Sequence, residues 1–184
     1  RRDADFGAID SALSALPPLA GVLLPVGMNR PDDEPGQSGA EFETLTATNY
    51  SVPCRIVDHY LPRLRSATDA LIVGFGSIAA ERGRTRNAAY GAAKRALAAY
   101  FESLRHAMGG SRVVVQFYVL GYLDTNLAFG HATPLPPADP DACAERVFMR
   151  RGDDFGKSYF PRYWRPLCFV LRLMPWFVYR RLSF

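Results

Sequence analysis

Lysine is scarce in this chain. Of 22 basic side chains only Lys94 and Lys157 are lysines, and the rest are arginines. Cysteine is scarce too: Cys54, Cys143 and Cys168 are widely spaced, with no C-x-x-C pair. That excludes a disulfide framework and reads as free thiols in a reducing, cytoplasmic setting. The three histidines, His59, His106 and His131, lie far apart and lack metal-type spacing with the cysteines. They read as surface or internally satisfied side chains, and no metal is expected. No uninterrupted apolar run reaches the ~18 residues of a membrane span. The start, "RRDADFGAIDSAL", has no initiator Met and neither the apolar core nor the cleavage site of a signal peptide. It reads as a fragment that begins within a domain.

What is present suits one globular domain. The chain has 184 residues, 48% of them hydrophobic, and a net charge of +4. The charge is lopsided: from Arg146 to Phe184 there are eight arginines and one lysine against two aspartates. The body is near neutral and the tail is basic and aromatic.

The apolar pattern alternates between strand-like and helix-like segments. Residues 6–16 read as a short helix ended by Pro17-Pro18, 20–27 as a buried strand, and 29–39 as a polar loop. Helical spacing runs from about Ala40 to Leu64, interrupted by Pro53. "DALIVGFGS" (69–77) is a second buried strand. Residues 87–108, rich in Ala and stopped by Gly109-Gly110, form the strongest helix, and 111–121 a third strand. A proline-rich loop leads to a helix over 141–151 and a short strand over 156–161. A final helix over 162–182 is broken near Pro175. Continuous apolar strands alternating with helices predict an α/β fold, a doubly wound parallel sheet covered on both faces. In such sheets the ligand crevice lies beyond the carboxyl ends of the strands, which puts Gly27, Ser77 and Gly121 on one edge.

Tyr90 and Lys94 are four apart on the strongest helix and share a face. An ammonium beside a phenol favours the phenolate, lowering the tyrosine pKa from about 10. Such a tyrosine can exchange a proton with a carbonyl or hydroxyl oxygen near neutral pH. Y-x-x-x-K by itself is common on helix surfaces. Ser77 sits thirteen residues upstream, on a separate element at a strand's carboxyl end, where it could hydrogen-bond the same oxygen.

Ser77, Tyr90 and Lys94 match the Ser-x12-Tyr-x3-Lys pattern of the short-chain dehydrogenase/reductase family, which the chain resembles over nearly its whole length. Asn49 in "TATNYSVP" matches the family's fourth catalytic residue. The Asn-Ala-Gly segment aligns with "PVGMN", where only Gly27 is retained. The adenine-pocket aspartate aligns with Asp3, with Asp5 as its rival. "LGYLDTN" aligns with the segment beside the nicotinamide, giving Gly121 and Thr125, with Leu120 where Pro is usual. The resemblance implies a Rossmann-like sheet lacking its first βαβ portion, with 1–161 the C-terminal portion of that domain. The Gly-rich phosphate loop and the residue that separates NAD from NADP are absent from these residues. It also implies an NAD(P) cofactor, NADPH or NADH, for reducing a carbonyl to an alcohol. In that scheme Tyr90 donates the proton and Lys94 lowers its pKa and holds the nicotinamide ribose. Ser77 orients the substrate oxygen, and Asn49 positions a water that relays protons to Lys94. A homo-oligomer is the family's common state.

The tail, 162–184, reads as a basic aromatic helix that either packs on the domain or lies at a membrane interface. No nucleic-acid-binding module accompanies it, so nucleic acid is not an expected partner. Its ending, Leu171 to Leu182, resembles the decaprenylphosphoryl-ketopentose reductases, as does "ERGR" after Ser77. That likeness implies a keto-sugar on a polyprenyl phosphate carrier in cell-envelope synthesis, a partner oxidase, and peripheral contact with the inner face of a membrane. The alternatives are a soluble ketone or acyl reductase, which would take a small-molecule carbonyl substrate, and a non-catalytic scaffold that keeps the fold.

Overall fold

The structure is a computed structural model that describes residues 6–36, 39–125, 127 and 135–182. Asp3 and its rival Asp5 lie outside the described residues. Four strands form one sheet in the order β1 (Gly21–Leu24), β2 (Ala70–Ser77), β3 (Val113–Leu120), β4 (Lys157–Phe160), and every pairing is parallel. The register sets Leu24 against Gly74, Ser77 against Leu120, and Leu120 against Phe160. The carboxyl ends of the strands therefore share one edge.

The helices are α1 (Gly7–Ser14), α2 (Gly39–Thr46), α3 (Val52–Arg65), α4 (Ala88–Ala107), α5 (Pro140–Met149), α6 (Trp164–Leu173) and α7 (Trp176–Tyr179). One face of the sheet packs Ile72, Val115 and Phe117 against Val57 and Leu64 of α3 and Leu97 and Phe101 of α4. The other face packs Val73 and Tyr118 against Val147 of α5. Helices on both faces of a parallel sheet are the doubly wound arrangement that the alternating pattern predicts.

Three differences from the sequence pattern have local causes. β1 stops at Leu24, not at residue 27, because Pro25 has no N–H to give a ladder. The interrupted helix near Pro53 is one rod with a π-helical turn, Ala47–Ser51, between α2 and α3. Pro53 cannot donate to the carbonyl four residues back, and the Val52 N–H instead reaches Ala47, five back. The final helix is two pieces. Pro175 lacks the N–H that Leu171 would receive, and α6 ends. The Arg82 guanidinium supplies the missing donor, reaching the carbonyls of Leu171 and Met174 and lying 3.8 Å over the Tyr179 ring. Trp164, Cys168 and Tyr179 are buried, so these two helices pack on the body. No helix among the described residues is long and apolar enough to cross a membrane.

A polar residue in the middle of β3 has a mechanical role. Gln116 is fully buried, and its Nε2 donates to the carbonyls of Arg150 at 2.6 Å and Asp153 at 2.8 Å. It ties the turn after α5 to the centre of the sheet. Replacing it by Leu removes both donors and strands two carbonyls. We expect Gln116→Leu to lower unfolding free energy by about 1–3 kcal/mol in urea titrations; unchanged stability would show that water replaces the amide without loss.

Candidate active site

The site is assembled around the first turn of α4. Asn87 starts it in the left-handed region (φ 61°), a conformation that Asn tolerates. Its side chain does not cap the helix, because the Asn87 Oδ1 accepts from Asn29 Nδ2 at 2.9 Å. The cap comes from Asp33, 56 residues upstream of Ala89. The Asp33 carboxylate accepts from the N–H of Ala89 at 2.9 Å and of Tyr90 at 2.8 Å, and its carbonyl from Ala88 at 3.2 Å. A buried carboxylate on the orphan donors of a helix N-terminus is favoured by both hydrogen bonding and the helix dipole. Asp33 fixes the backbone of Tyr90, and sequence reasoning missed it. Only an acidic residue in the polar loop hinted at it, and nothing in the spacing links that loop to α4.

Gly91 sets how near α4 comes to the end of β2. A Cβ built there would lie 2.8 Å from the carbonyl oxygen of Ala79 in the short 3-10 turn after Ser77. With glycine, α4 closes on that turn, and Tyr90 comes near enough to Ser77 for the serine hydroxyl to act on the phenol's pKa. The Ser77 Oγ also accepts from the Ala79 N–H at 3.2 Å, which orients it. One turn along α4, the Lys94 ammonium donates to the carbonyls of Val26 at 2.7 Å and Phe75 at 3.0 Å. Lys94 is 3% exposed and Tyr90 7%.

Asn49 is fully buried in the π-helical turn. Its Nδ2 donates to the carbonyls of Met28 at 2.7 Å and Leu45 at 2.9 Å, and its Oδ1 accepts from the Met28 N–H at 3.1 Å. Both of its amide donors are thus held by protein, and one oxygen lone pair stays open. Gly27 lies between: a Cβ there would be 3.7 Å from both Asn49 Oδ1 and Lys94 Nζ. Gly121, at the end of β3, is occupied from behind. A Cβ there would sit inside the Trp164 indole, 1.8 Å from Nε1, so only glycine admits the α6 tryptophan. Thr125 is exposed at the rim. Ser77, Tyr90, Lys94, Gly27, Gly121 and Thr125 line one crevice of about 1420 Å³ along the carboxyl edge.

The electrostatics correct one expectation. Burial raises the Tyr90 phenol above its ordinary value, and the groups that oppose the rise are the Ser77 hydroxyl and the Arg84 charge, not Lys94. The Lys94 ammonium is turned to the Val26 and Phe75 carbonyls. Burial also lowers Lys94, to about 8.

A parallel α/β sheet with a Ser–Tyr–Lys cluster in a crevice at its carboxyl edge defines the class. The family model for short chain dehydrogenases matches residues 5–132. The chain belongs to the short chain dehydrogenase family. It is 26% identical over 166 residues to an uncharacterised oxidoreductase of Mycobacterium tuberculosis, matching 90% of this chain and 66% of that protein. The chain thus spans just under two thirds of that relative's length. Among solved structures it is similar to a short chain dehydrogenase of Burkholderia cenocepacia crystallised with NADP. The TM-score is 0.82 at 19% identity, over 98% of this chain and 77% of the other. It is also similar to a 3-oxoacyl-[acyl-carrier protein] reductase of Brucella melitensis. There the TM-score is 0.71 at 17% identity, over 84% of this chain and 66% of the other.

The low Lys94 value has a thermodynamic consequence. From about 8 up to the ordinary lysine value of 10.5, the unfolded chain holds a proton that the folded chain has lost. Stability contributed by Lys94 therefore rises with pH across that window, and the burial penalty is felt in full below it. Urea titrations across that range should show the upward slope in the wild type and its loss in Lys94→Met. Equal slopes in the two proteins would rule the shift out.

Proposed function

We propose that the protein is an NAD(P)-dependent oxidoreductase that reduces a carbonyl to an alcohol. The observation that carries the reading is the convergence of Ser77, Tyr90 and Lys94 on one crevice in a chain of this family. The residues present fit the cofactor's ribose on one structural count. Lys94 gives two of its three N–H donors to Val26 and Phe75, which leaves one for a ligand hydroxyl. Bound nicotinamide dinucleotide supplies the two-electron reducing equivalent. Ser77, with its oxygen already accepting from Ala79, donates to the substrate oxygen. Tyr90 gives that oxygen its proton. A phenol whose pKa is raised by burial holds its proton at neutral pH, which suits the reductive direction. Asn49 holds the Gly27–Met28 turn against which Lys94 rests, and its open lone pair accepts from a water on the path to Lys94. By the family resemblance Gly121 and Thr125, which line the crevice, would flank the cofactor, and the same resemblance gives Asp3 to its adenine pocket.

Tyr90→Phe keeps the ring and removes the proton. NADPH consumption with a panel of ketones should fall by about 10²–10⁴-fold in the full-length protein. Turnover unchanged in that variant would end the scheme.

A finer reading rests on the tail. Beyond Asp154 the chain has no acidic residue, while Lys157, Arg162, Arg165, Arg172, Arg180 and Arg181 are all basic. Phe169, Trp176 and Phe177 are each more than 60% exposed, beside the buried Trp164 and Tyr179. Glu81 pairs with Lys157 and Arg172, but an outward apolar face beside the remaining arginines, in a segment with no acidic residue of its own, suits an anionic bilayer surface. A lipid-linked substrate, such as a keto-sugar on a polyprenyl phosphate carrier made available by a partner oxidase, would be reached there. Vesicle co-sedimentation checks this. Wild type should bind phosphatidylglycerol vesicles and release them when Phe169, Trp176 and Phe177 are changed together to Ser. Equal recovery with and without vesicles would sink the membrane reading and favour a soluble ketone or acyl substrate.

A further inference from the structure

Among the described residues the walls of the crevice carry five basic side chains, Lys94, Arg30, Arg84, Arg86 and Arg151, and no aspartate or glutamate. Three of the five are accounted for. Lys94 is held by two carbonyls. Arg30 pairs with Asp32 at 3.1 Å and with Glu41. Arg151 donates to the Phe148 carbonyl at 2.9 Å and stacks 4.4 Å over that ring.

Arg84 and Arg86 have no carboxylate partner among the described residues. The Nε of Arg84 is also buried without an acceptor. A buried guanidinium donor without a partner is costly, and native structures satisfy nearly all such groups. Arg84, Arg86 and Tyr90 line the same crevice, and the Arg84 charge acts on the Tyr90 phenol, opposing the rise of its pKa.

The loop that presents the two arginines is braced from behind. Arg82 is fastened to the end of α6, the Tyr179 hydroxyl donates to the Gly83 carbonyl at 2.8 Å, and Glu81 is ion-paired to Lys157 and Arg172. A guanidinium on a braced loop loses little freedom when it binds, and its planar fork matches a phosphate or carboxylate in two places at once.

We propose that Arg84 and Arg86 form an anion subsite, in the same crevice as Tyr90, that takes a phosphate carried by the substrate. The word substrate rests on the reductase reading; the subsite itself does not. The phosphate chemistry is common to a lipid-linked substrate and a small phosphorylated one, and the test separates them.

The full-length protein is titrated by calorimetry, with and without NADPH, using farnesyl phosphate, glycerol 3-phosphate and the matched alcohols farnesol and glycerol. At least one phosphate should bind, with its alcohol weaker by about tenfold or more. Arg84→Gln and Arg86→Gln should each lose about tenfold in phosphate affinity, and the already paired Arg30, changed to Gln, should stay within about twofold. Preference for farnesyl phosphate assigns a lipid source; equal affinity for glycerol 3-phosphate assigns a free phosphate. If Arg84→Gln fails to fold by circular dichroism, Arg84→Lys and Arg86→Gln carry the comparison, with Arg84→Lys losing the two-point fork but keeping the charge. Three results overturn the subsite: phosphates that bind no better than alcohols, an Arg30 variant that loses as much as the others, or NADPH affinity that falls as far as phosphate affinity. The last result would give the arginines to the cofactor. Absence of NADPH binding in every protein would count against the reductase reading alone, because the cofactor-free titrations still decide the subsite.

Discussion

The crevice depends on one buried ammonium. Lys94 joins three elements at a point: it projects from α4, and it holds the carbonyls of Val26 after β1 and Phe75 in β2. Two carbonyl dipoles stabilise the charge but do not replace bulk water, which is why burial still lowers the group to about 8. Around this point the polypeptide is arranged to keep α4 in place. Asp33 caps its first turn, Gly91 lets it close on the end of β2, and Phe101 and Leu97 anchor it to the sheet. Losing the ammonium would remove a link between β1 and β2 as well as a charge, so its chemistry and its architecture are not separable.

The second constraint is proline. Pro25 ends β1, and the chain then turns as Val26–Gly27–Met28, whose Val26 carbonyl takes Lys94 and whose Met28 backbone takes Asn49. Pro53 forces a π-helical turn, and that turn carries Asn49 into the interior. Pro175 ends α6 and leaves a carbonyl that Arg82 satisfies. The first two prolines reshape the backbone itself, and at the third the missing N–H is answered by a polar side chain from another element. That answer couples the C-terminal helices to the loop between Ser77 and Tyr90. What binds the tail and what enters the crevice are thereby mechanically adjacent.

Much of this was legible in the sequence because it is local. Strands of continuous Val, Ile and Leu, and the Ala-rich helix that carries Tyr90 and Lys94, follow from periodicity and propensity over windows of ten to twenty residues. The break at Pro175 follows from one residue's chemistry. Gly121 was legible as a special position, but not for its structural reason: the space its missing side chain leaves is filled by Trp164, 43 residues later. Asp33 was unreadable because it caps a helix that begins 55 residues further on. The expectation that Lys94 acidifies Tyr90 came from four-residue spacing, which fixes a shared helix face but not where a long, flexible side chain ends.

The sequence by itself determined the elements, their order, and the identity of the residues at the carboxyl edge, since each is written in short-range pattern and spacing. Tertiary structure alone decided the electrostatics. Whether a charge meets a phenol, a carbonyl or nothing depends on ångström-scale approach between segments far apart in the chain. Here that approach turned Lys94 to the backbone, put Arg84 in the same crevice as Tyr90, and left the arginine's Nε buried without a partner.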